Sequence, residues 1–146
     1  MTKMRRPPGA GKPMTKLEIE QLVHAAAEAR GGAVSPYSGF AVGAALLTRA
    51  GKMIGGANVE SASYGLTCCA ERVALFKALT AGEREIRAVA VVARCAGGPM
   101  PCGACRQLLA EYAPAAAVLV ADAGHLARVR RFTVRELLPC AFRLSV

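Results

Sequence analysis

The alternation of two buried strands with a helix between them most constrains the fold of this chain. Ile86 to Ala93 and Ala115 to Ala121 are short apolar runs of the kind that form buried strands. Between them, a loop containing Gly97-Gly98-Pro99 leads into a predicted helix over Cys102 to Tyr112. A strand, a helix and a strand in this order favour a three-layer α/β fold.

The flanking segments complete the predicted fold. A capping-box pattern at Thr15-Lys16-Leu17-Glu18 predicts a surface helix that ends at Gly31-Gly32, and Thr67 to Leu79 predicts a second helix. A second capping box at Thr133-Val134-Arg135-Glu136 predicts a short C-terminal helix. Three further segments are strand-like, namely Phe40 to Thr48, Lys52 to Asn58 and Val129 to Thr133. These elements predict an α-β-α arrangement around a mixed central sheet of about five strands.

Length and composition bound the domain organisation. A chain of 146 residues and 15.1 kDa suits a single core, so we expect one domain over residues 15–146. Residues 1–14 are basic and rich in Pro and Gly, and we expect a disordered tail there. The tail lacks the apolar segment of a secretory signal peptide, which favours a cytoplasmic protein with reduced cysteines. No apolar run approaches the roughly 18 residues that span a bilayer, so a membrane-spanning protein is excluded.

The net charge of +9 raises the question of nucleic-acid binding. Five of the 19 basic residues precede Glu18 and four more lie between Arg128 and Arg135, and both clusters are outside the central segment with the cysteines. Aromatic residues make up only 5% of the chain and Trp is absent, so a base-stacking platform has little to build from. We therefore interpret these charges as solvated and do not expect a nucleic-acid partner.

The spacing of the cysteines indicates a metal site. Cys102 and Cys105 lie three residues apart at a predicted helix start, where both thiols can reach one metal ion. Alone, this pair could equally be a redox pair or two buried thiols. Cys69, followed two residues later by Glu71, supplies a third thiol at another predicted helix start. Three thiolates leave one position of a tetrahedral Zn²⁺ open, as a catalytic site requires. Cys68 could be a fourth ligand, but we prefer a buried thiol because adjacent residues rarely ligate one ion.

Two charged residues follow the Cys69 position. Glu71 is a candidate proton carrier, although an acidic residue in the first turn of a helix is commonly explained by the helix dipole alone. Arg72 is a candidate for offsetting the negative charge of a zinc ion with three thiolates. A solvated helix Arg is an equally good interpretation of Arg72 from the sequence.

The chain resembles the small, homotetrameric, zinc-dependent cytidine deaminases. The resemblance rests on Cys69-Ala70-Glu71 together with Pro101-Cys102-Gly103-Ala104-Cys105, a form of the zinc-deaminase signature, and extends from about Ser35 to the end of the chain. Cys69 stands where that signature has His. The small homotetrameric members resemble this chain in using three cysteines. The Cys in place of His therefore favours a free nucleoside over a polynucleotide as the substrate.

The resemblance also implies roles for individual residues. It implies one Zn²⁺ per subunit, held by Cys69, Cys102 and Cys105, with Glu71 as the catalytic carboxylate. Asn58 and Glu60 would bind the ribose 3′-hydroxyl, although Asn58 alone would be explained by turn chemistry. The other residues that the resemblance places at the substrate or a subunit interface are Phe40 against the pyrimidine, Ala70, Tyr64, and Phe142 reaching a neighbouring subunit's site. A single Phe that opens a strand, such as Phe40, is otherwise usually a core residue.

The activity implied by the resemblance is hydrolytic deamination of free cytidine and 2′-deoxycytidine to uridine and 2′-deoxyuridine, with release of ammonia, in pyrimidine salvage. Two alternatives stay open. A deaminase of another aminopyrimidine, such as a blasticidin-like nucleoside antibiotic, would keep the zinc and Glu71 without depending on Asn58 and Glu60. A non-catalytic zinc-binding module would use the cysteines structurally, with the basic ends contacting phosphates.

Overall fold

A computed structural model describes residues 12–145 of the chain. Its five strands are β1 (Val42–Thr48), β2 (Met53–Ala57), β3 (Ile86–Ala93), β4 (Ala117–Asp122) and β5 (Arg130–Thr133). Its four α-helices are α1 (Lys16–Ala29), α2 (Ala70–Thr80), α3 (Gly103–Tyr112) and α4 (Val134–Leu137). Short 3-10 turns at Arg30–Gly32 and Tyr64–Leu66 join some of these elements.

The five strands form one mixed sheet in the order β2-β1-β3-β4-β5. The strands β3 and β4 run parallel and are connected through α3, while the other neighbouring pairs are antiparallel. The parallel pair is the strand, helix and strand unit that the apolar runs predict. The predicted α/β fold with a mixed sheet of about five strands is confirmed.

The helices cover both faces of the sheet. Alternate side chains of β1 point to opposite faces, as in any strand. Ala45 and Leu47 pack in the cluster that contains Leu22 of α1, whereas Ala44 and Leu46 pack in the cluster that contains residues of α2 and α3. The core therefore lies in two apolar layers, one on each side of the sheet.

The helices α2 and α3 begin later than the sequence predicts. Cys69 and Cys102 have extended backbones at the N-caps of these helices, with ψ of 154° and 166°. Cys68 pairs with Val59 in an isolated bridge, which holds the chain extended just before α2. The predicted strand at Phe40 begins instead at Val42. Residues 1–11, most of the predicted tail, lie outside the described residues.

The helix α2 lies on β2 at a distance that only glycine permits. A Cβ atom built at Gly56 would lie 2.5 Å from the amide nitrogen of Ala74 and 2.8 Å from the carbonyl oxygen of Ala70. Both contacts are backbone atoms of α2, so the helix would have to move away from the sheet. Gly56 therefore fixes the position of the helix that follows Cys69.

None of the helices described between residues 12 and 145 is long and apolar enough to cross a membrane.

We expect Gly56→Ala to lower the free energy of unfolding by about 3 kcal/mol, because overpacking against a rigid backbone leaves no side chain that can yield. Urea unfolding at matched protein concentration measures the change. Gly31→Ala is the control, since a Cβ atom at Gly31 has no neighbour within 4 Å. Equal stability of the two variants would show that α2 can shift without cost.

Candidate functional site

Three cysteine thiols converge at the N-termini of α2 and α3. Cys69 and Cys102 are the N-cap residues of these helices, and neither side chain makes a capping hydrogen bond. Cys105 lies in the first turn of α3 and is buried. The three Sγ atoms all lie within 4.8 Å of one another, and those of Cys69 and Cys102 are 3.7 Å apart. A tetrahedral zinc ion with Zn–S bonds of about 2.3 Å places its sulfur ligands about 3.8 Å apart.

The environment of this cluster favours a thiolate at Cys69. Hydrogen bonds from the thiols of Cys105 and Cys102, with the guanidinium of Arg72, lower the pKa of Cys69 to about 5. The hydrogen bond to Cys69 and burial raise the pKa of Cys105. One sulfur therefore carries negative charge while its neighbour retains a proton that a metal ion can displace. Together with the spacing, this chemistry fits a zinc ion.

Glu71 is a buried carboxyl group next to the thiols. It lies in the first turn of α2, two residues after Cys69, and only 5% of its surface is exposed. Burial raises the pKa of Glu71 to about 7, and the thiolate of Cys69 adds to the increase while Arg72 opposes it. A carboxyl group with this pKa can both accept and donate a proton near neutral pH.

The raised pKa of Glu71 has a consequence for stability. The folded state holds a proton on Glu71 between its ordinary pKa of 4.5 and about 7, so this residue makes the metal-free protein less stable as the pH rises through that interval. Because Gln does not titrate, we expect metal-free Glu71→Gln to exceed the wild-type free energy of unfolding by about 3 kcal/mol above pH 7. The difference should vanish below pH 4.5.

Urea unfolding of chelator-treated, reduced protein from pH 4 to pH 8 measures this difference. Glu28→Gln, at an exposed position on α1, is the control for the loss of a carboxyl group away from the thiols. A gain from Glu71→Gln that stays constant across the pH range would contradict the assignment of the raised pKa to this residue.

Arg72 connects the thiol cluster to the loop before α2. Its Nη2 atom donates a hydrogen bond of 2.7 Å to the carbonyl oxygen of Thr67 and lies 3.9 Å from Sγ of Cys69. The guanidinium therefore places positive charge beside a thiolate, which is the position required for a residue that offsets the negative charge of the thiolates. A solvated Arg would lack both contacts.

A cavity of about 360 Å³ opens beside this loop. It is lined by Tyr37, Ser38, Glu60, Ser61, Tyr64 and Thr67. Two of the predicted substrate residues, Glu60 and Tyr64, therefore face the same space. Thr67 connects the cavity to the thiol cluster, because its carbonyl oxygen accepts the hydrogen bond from Arg72.

Asn58 and Phe40 are joined by backbone contacts. Asn58 is buried, and its Nδ2 atom donates to the carbonyl oxygen of Phe40 at 2.9 Å. Its Oδ1 atom accepts from the amide of Val42 at 2.8 Å. The Phe40 side chain is 43% exposed and lies outside the core. Asn58 thus holds the segment that carries Phe40, which leaves that ring available to a ligand.

The C-terminal segment is tied to α3, the helix of Cys105. Gln107 donates through Nε2 to the carbonyl oxygen of Phe142 at 2.9 Å. Arg106 donates to the carbonyl oxygens of Pro101 at 2.7 Å and Leu137 at 2.9 Å. The ring of Phe142 is 69% exposed, so within the described residues it does not pack into the core.

Comparison with known proteins identifies the family. The family model described as "Cytidine and deoxycytidylate deaminase zinc-binding region" matches residues 16–121. A cytidine deaminase from Halalkalibacterium halodurans is 51% identical over 127 residues, which cover 86% of this chain and 95% of that protein. This chain belongs to the cytidine deaminase family. The predicted family, and the prediction that the protein is a deaminase and hence a hydrolase, are confirmed.

Solved structures of the family have the same fold. The cytidine deaminase from Burkholderia pseudomallei superimposes with a TM-score of 0.81 at 48% identity, covering 88% of this chain and all of that one. The enzyme from Mycobacterium tuberculosis gives a TM-score of 0.74 at 38% identity over 90% of this chain and 100% of that one. A blasticidin-S deaminase from Bacillus cereus is more distant, at 31% identity over 69% of this chain and 76% of that protein.

The structure brings some of the predicted residues together and adds others. The three cysteines, Glu71 and Arg72 form one cluster, and Ala70 is fully buried between Cys69 and Glu71 in the sequence. No motif in the sequence singles out Ser38, Thr67 or Arg106. Their contacts join residues that are far apart along the chain, or use backbone atoms, and no spacing pattern reveals such contacts.

Proposed function

We propose that this member of the cytidine deaminase family hydrolyses free cytidine and 2′-deoxycytidine to uridine and 2′-deoxyuridine, with release of ammonia. The observation that carries the proposal is the buried carboxyl group of Glu71 beside three convergent thiols, all within a family match that covers most of the chain. A purely structural metal site has no need of a buried carboxyl group with a pKa near neutrality.

The metal in this proposal is one Zn²⁺ per subunit, held by Cys69, Cys102 and Cys105. The sulfur-rich donor set and the spacing of the sulfur atoms support zinc over harder cations. A bound zinc ion with an open fourth position supplies Lewis acidity that makes water a nucleophile near neutral pH. Arg72 lies beside Cys69 and offsets the negative charge of the three thiolates.

Glu71 moves the protons in this proposal. Its carboxylate takes a proton from the attacking water and delivers it to N3 of the pyrimidine, so that the water oxygen can bond to C4. The carboxylate that results takes the second proton of the same water from the new C4 hydroxyl and gives it to the departing amino group, so the C4–N bond breaks as the C4 carbonyl forms and ammonia leaves. Overall, one water is consumed and the exocyclic nitrogen leaves. Burial keeps the pKa of Glu71 close to the working pH, which suits a group that is base and acid in one turnover.

Substrate recognition in this proposal uses residues inside and outside the cavity. Glu60 and Asn58 bind the sugar hydroxyls, and Phe40 packs against the pyrimidine ring. Glu60 and Tyr64 line the cavity, whereas Asn58 and Phe40 are not among its lining residues. The exposed ring of Phe40 supports its role, because the backbone that carries it is fixed by Asn58. Ala70, between Cys69 and Glu71 in the sequence, is the remaining residue that this proposal assigns to substrate binding.

Turnover of cytidine by purified protein with one zinc per chain tests the proposal. The amount of cytidine consumed, followed by its absorbance, should equal the amount of ammonia released at each time point. Blasticidin S, offered at the same concentration, is the competing substrate. Exclusive turnover of blasticidin S would favour the more distant relative's activity, and zinc binding with no turnover of either compound would favour a non-catalytic module.

We further propose that the protein works as a homotetramer. Several large apolar side chains are highly exposed in the single chain, with Tyr64 at 82%, Leu66 at 73%, Phe142 at 69% and Leu144 at 73%. Exposed apolar surface of this kind is typical of sites that contact another protein. Contacts between copies would cover these side chains and bring Phe142 to a neighbouring site. Light scattering after gel filtration should give four times the 15.1 kDa chain mass.

The expected compartment and pathway complete the proposal. We propose a cytoplasmic enzyme of pyrimidine salvage, acting as one catalytic domain over residues 15–146. The free thiols at all six cysteines suit a reducing compartment. Growth of a cell that depends on cytidine as its pyrimidine source, with and without this protein, tests the assignment to salvage.

A further inference from the structure

The carboxylate of Glu60 is already held by the loop across the cavity. Its Oε2 atom accepts hydrogen bonds from the backbone amides of Tyr37 at 3.0 Å and Ser38 at 3.1 Å. Its Oε1 atom accepts a hydrogen bond from the hydroxyl of Ser38. A carboxylate has about four acceptor positions. Two donors therefore occupy Oε2, and a further donor can bond only at Oε1, the atom that Ser38 contacts.

The hydroxyl of Ser38 also reaches the segment of Phe40. Its Oγ atom accepts a hydrogen bond of 2.9 Å from the backbone amide of Phe40. The carbonyl oxygen of the same residue is held by Asn58. One hydroxyl thus donates to Glu60 and accepts from Phe40, and it links the carboxylate to the backbone of the aromatic residue. Among the hydrogen bonds of residues 12–145, no other side chain makes both contacts.

We propose that Ser38 is a positioning residue that sets the sugar specificity of the site by orienting Oε1 of Glu60 toward the nucleoside 3′-hydroxyl. The inference rests on the proposed function, in which Glu60 binds the sugar. Ser38 acts through Glu60 and need not touch the reacting atoms. Without the hydroxyl, Oε1 loses its hydrogen bond to the loop. The two backbone amides still hold Oε2, so the carboxylate can tilt about that oxygen and Oε1 no longer has a fixed direction.

The electrostatics of the loop support this role. The hydrogen bond from the Ser38 hydroxyl, with the amides of Ser38 and Tyr37, holds the pKa of Glu60 below its ordinary value. Glu60 is therefore ionised at neutral pH and acts only as an acceptor. A sugar hydroxyl is the complementary donor, and a substrate that lacks this hydroxyl gains nothing from the ordered carboxylate.

The test compares 2′-deoxycytidine with 2′,3′-dideoxycytidine, which differ only in the 3′-hydroxyl. We expect Ser38→Ala to lower kcat/KM for 2′-deoxycytidine about tenfold, mainly through KM, because a bond that orients a charged acceptor is lost. kcat/KM for 2′,3′-dideoxycytidine should fall much less, because for that substrate only the hydrogen bond between the Ser38 hydroxyl and the amide of Phe40 is lost. Ser38→Thr keeps the hydroxyl and should restore the wild-type preference. Ser35→Ala is the control in the same loop, because the Ser35 hydroxyl makes no hydrogen bond with any other residue between 12 and 145.

A double-mutant cycle separates positioning from a merely structural role. In a Glu60→Gln background, Ser38→Ala should cause no further loss of the preference for 2′-deoxycytidine. Equal losses on both substrates would overturn the inference, since they would show that Ser38 only stabilises the loop. An unchanged preference in Ser38→Ala, with wild-type turnover intact, would overturn the inference and leave the proposed function standing. Failure of the wild type to turn over either substrate would overturn both.

Discussion

Replacing Glu71 with Gln is expected to lower kcat on cytidine by about 10³-fold, in the middle of the range for a lost general acid and base. Gln has nearly the same shape, so the first turn of α2 and the position of Cys69 should not change. Gln cannot accept a proton from water or return one to the departing amino group. Because these transfers occur only on the way to the transition state, kcat should fall while KM stays within a small factor.

The zinc content of Glu71→Gln decides what the loss means. Glu71 is not among the residues whose ligand atoms meet in the thiol cluster, so the variant should keep one zinc per chain. Steady-state kinetics with metal analysis on the same sample measure both quantities, and Glu28→Gln is the control for loss of an exposed carboxylate. Near-wild-type turnover would remove Glu71 from the proton steps. Loss of zinc would make it a metal ligand instead.

The same variant links activity to stability. The burial that raises the pKa of Glu71 also makes the ionised carboxylate costly in the folded protein. If Glu71→Gln is more stable than the wild type when metal-free and yet inactive when zinc is bound, the chain retains a destabilising group for its chemistry. A variant that is inactive and less stable would point instead to a structural role for this side chain.

The layered fold could be predicted because its signals are local. The apolar run of β3 and the capping box of α1 depend on neighbouring residues, and the structure confirms both elements. The first residue of α2 could not be predicted as well. Cys68 is held extended by its pairing with Val59, which is distant from it in sequence, so α2 starts only after Cys69. Tertiary pairing overrides the helical preference of the preceding residues.

The candidate site divides in the same way. Cys102 and Cys105 lie within one helical turn, and their chemistry is apparent from their spacing. The convergence of Cys69 on them depends on how α2 and α3 pack beside the sheet, and the sequence indicates it only through the position of Cys69 at a second predicted helix start and through the family resemblance. The contact of Ser38 with Glu60 spans 22 positions, and no periodic pattern connects them. Such contacts become visible only when the loops are placed by the fold.

Replacing any one of Cys69, Cys102 and Cys105 with Ser is expected to remove the zinc ion and at least about 10³-fold of kcat/KM. The Ser hydroxyl stays protonated at neutral pH and is a poor ligand for a borderline-soft cation. Two remaining thiolates do not complete a zinc site, and the remaining sulfur atoms lose the ion that compensates their charge. Metal analysis after gel filtration should show zinc falling from about one per chain to near zero.

The matched controls are cysteines outside the cluster. Cys140 is exposed and Cys95 is partly buried, and neither contributes a sulfur to the group of three. Cys140→Ser and Cys95→Ser should each keep the metal and the wild-type kcat/KM. Loss of zinc in either control would mean that the metal is bound elsewhere than at the three convergent thiols.

Cys68→Ser decides between an open and a closed metal site. Cys68 neighbours Cys69 in sequence, but its sulfur is not part of the convergent group, and its backbone is committed to the pairing with Val59. We therefore expect Cys68→Ser to keep both zinc and turnover. If Cys68→Ser lost zinc, as the Ser variants of the three convergent cysteines are expected to do, the ion would have four thiolate ligands and a complete tetrahedral coordination. No position would then be left for water, and the non-catalytic zinc module would become the better account of this chain.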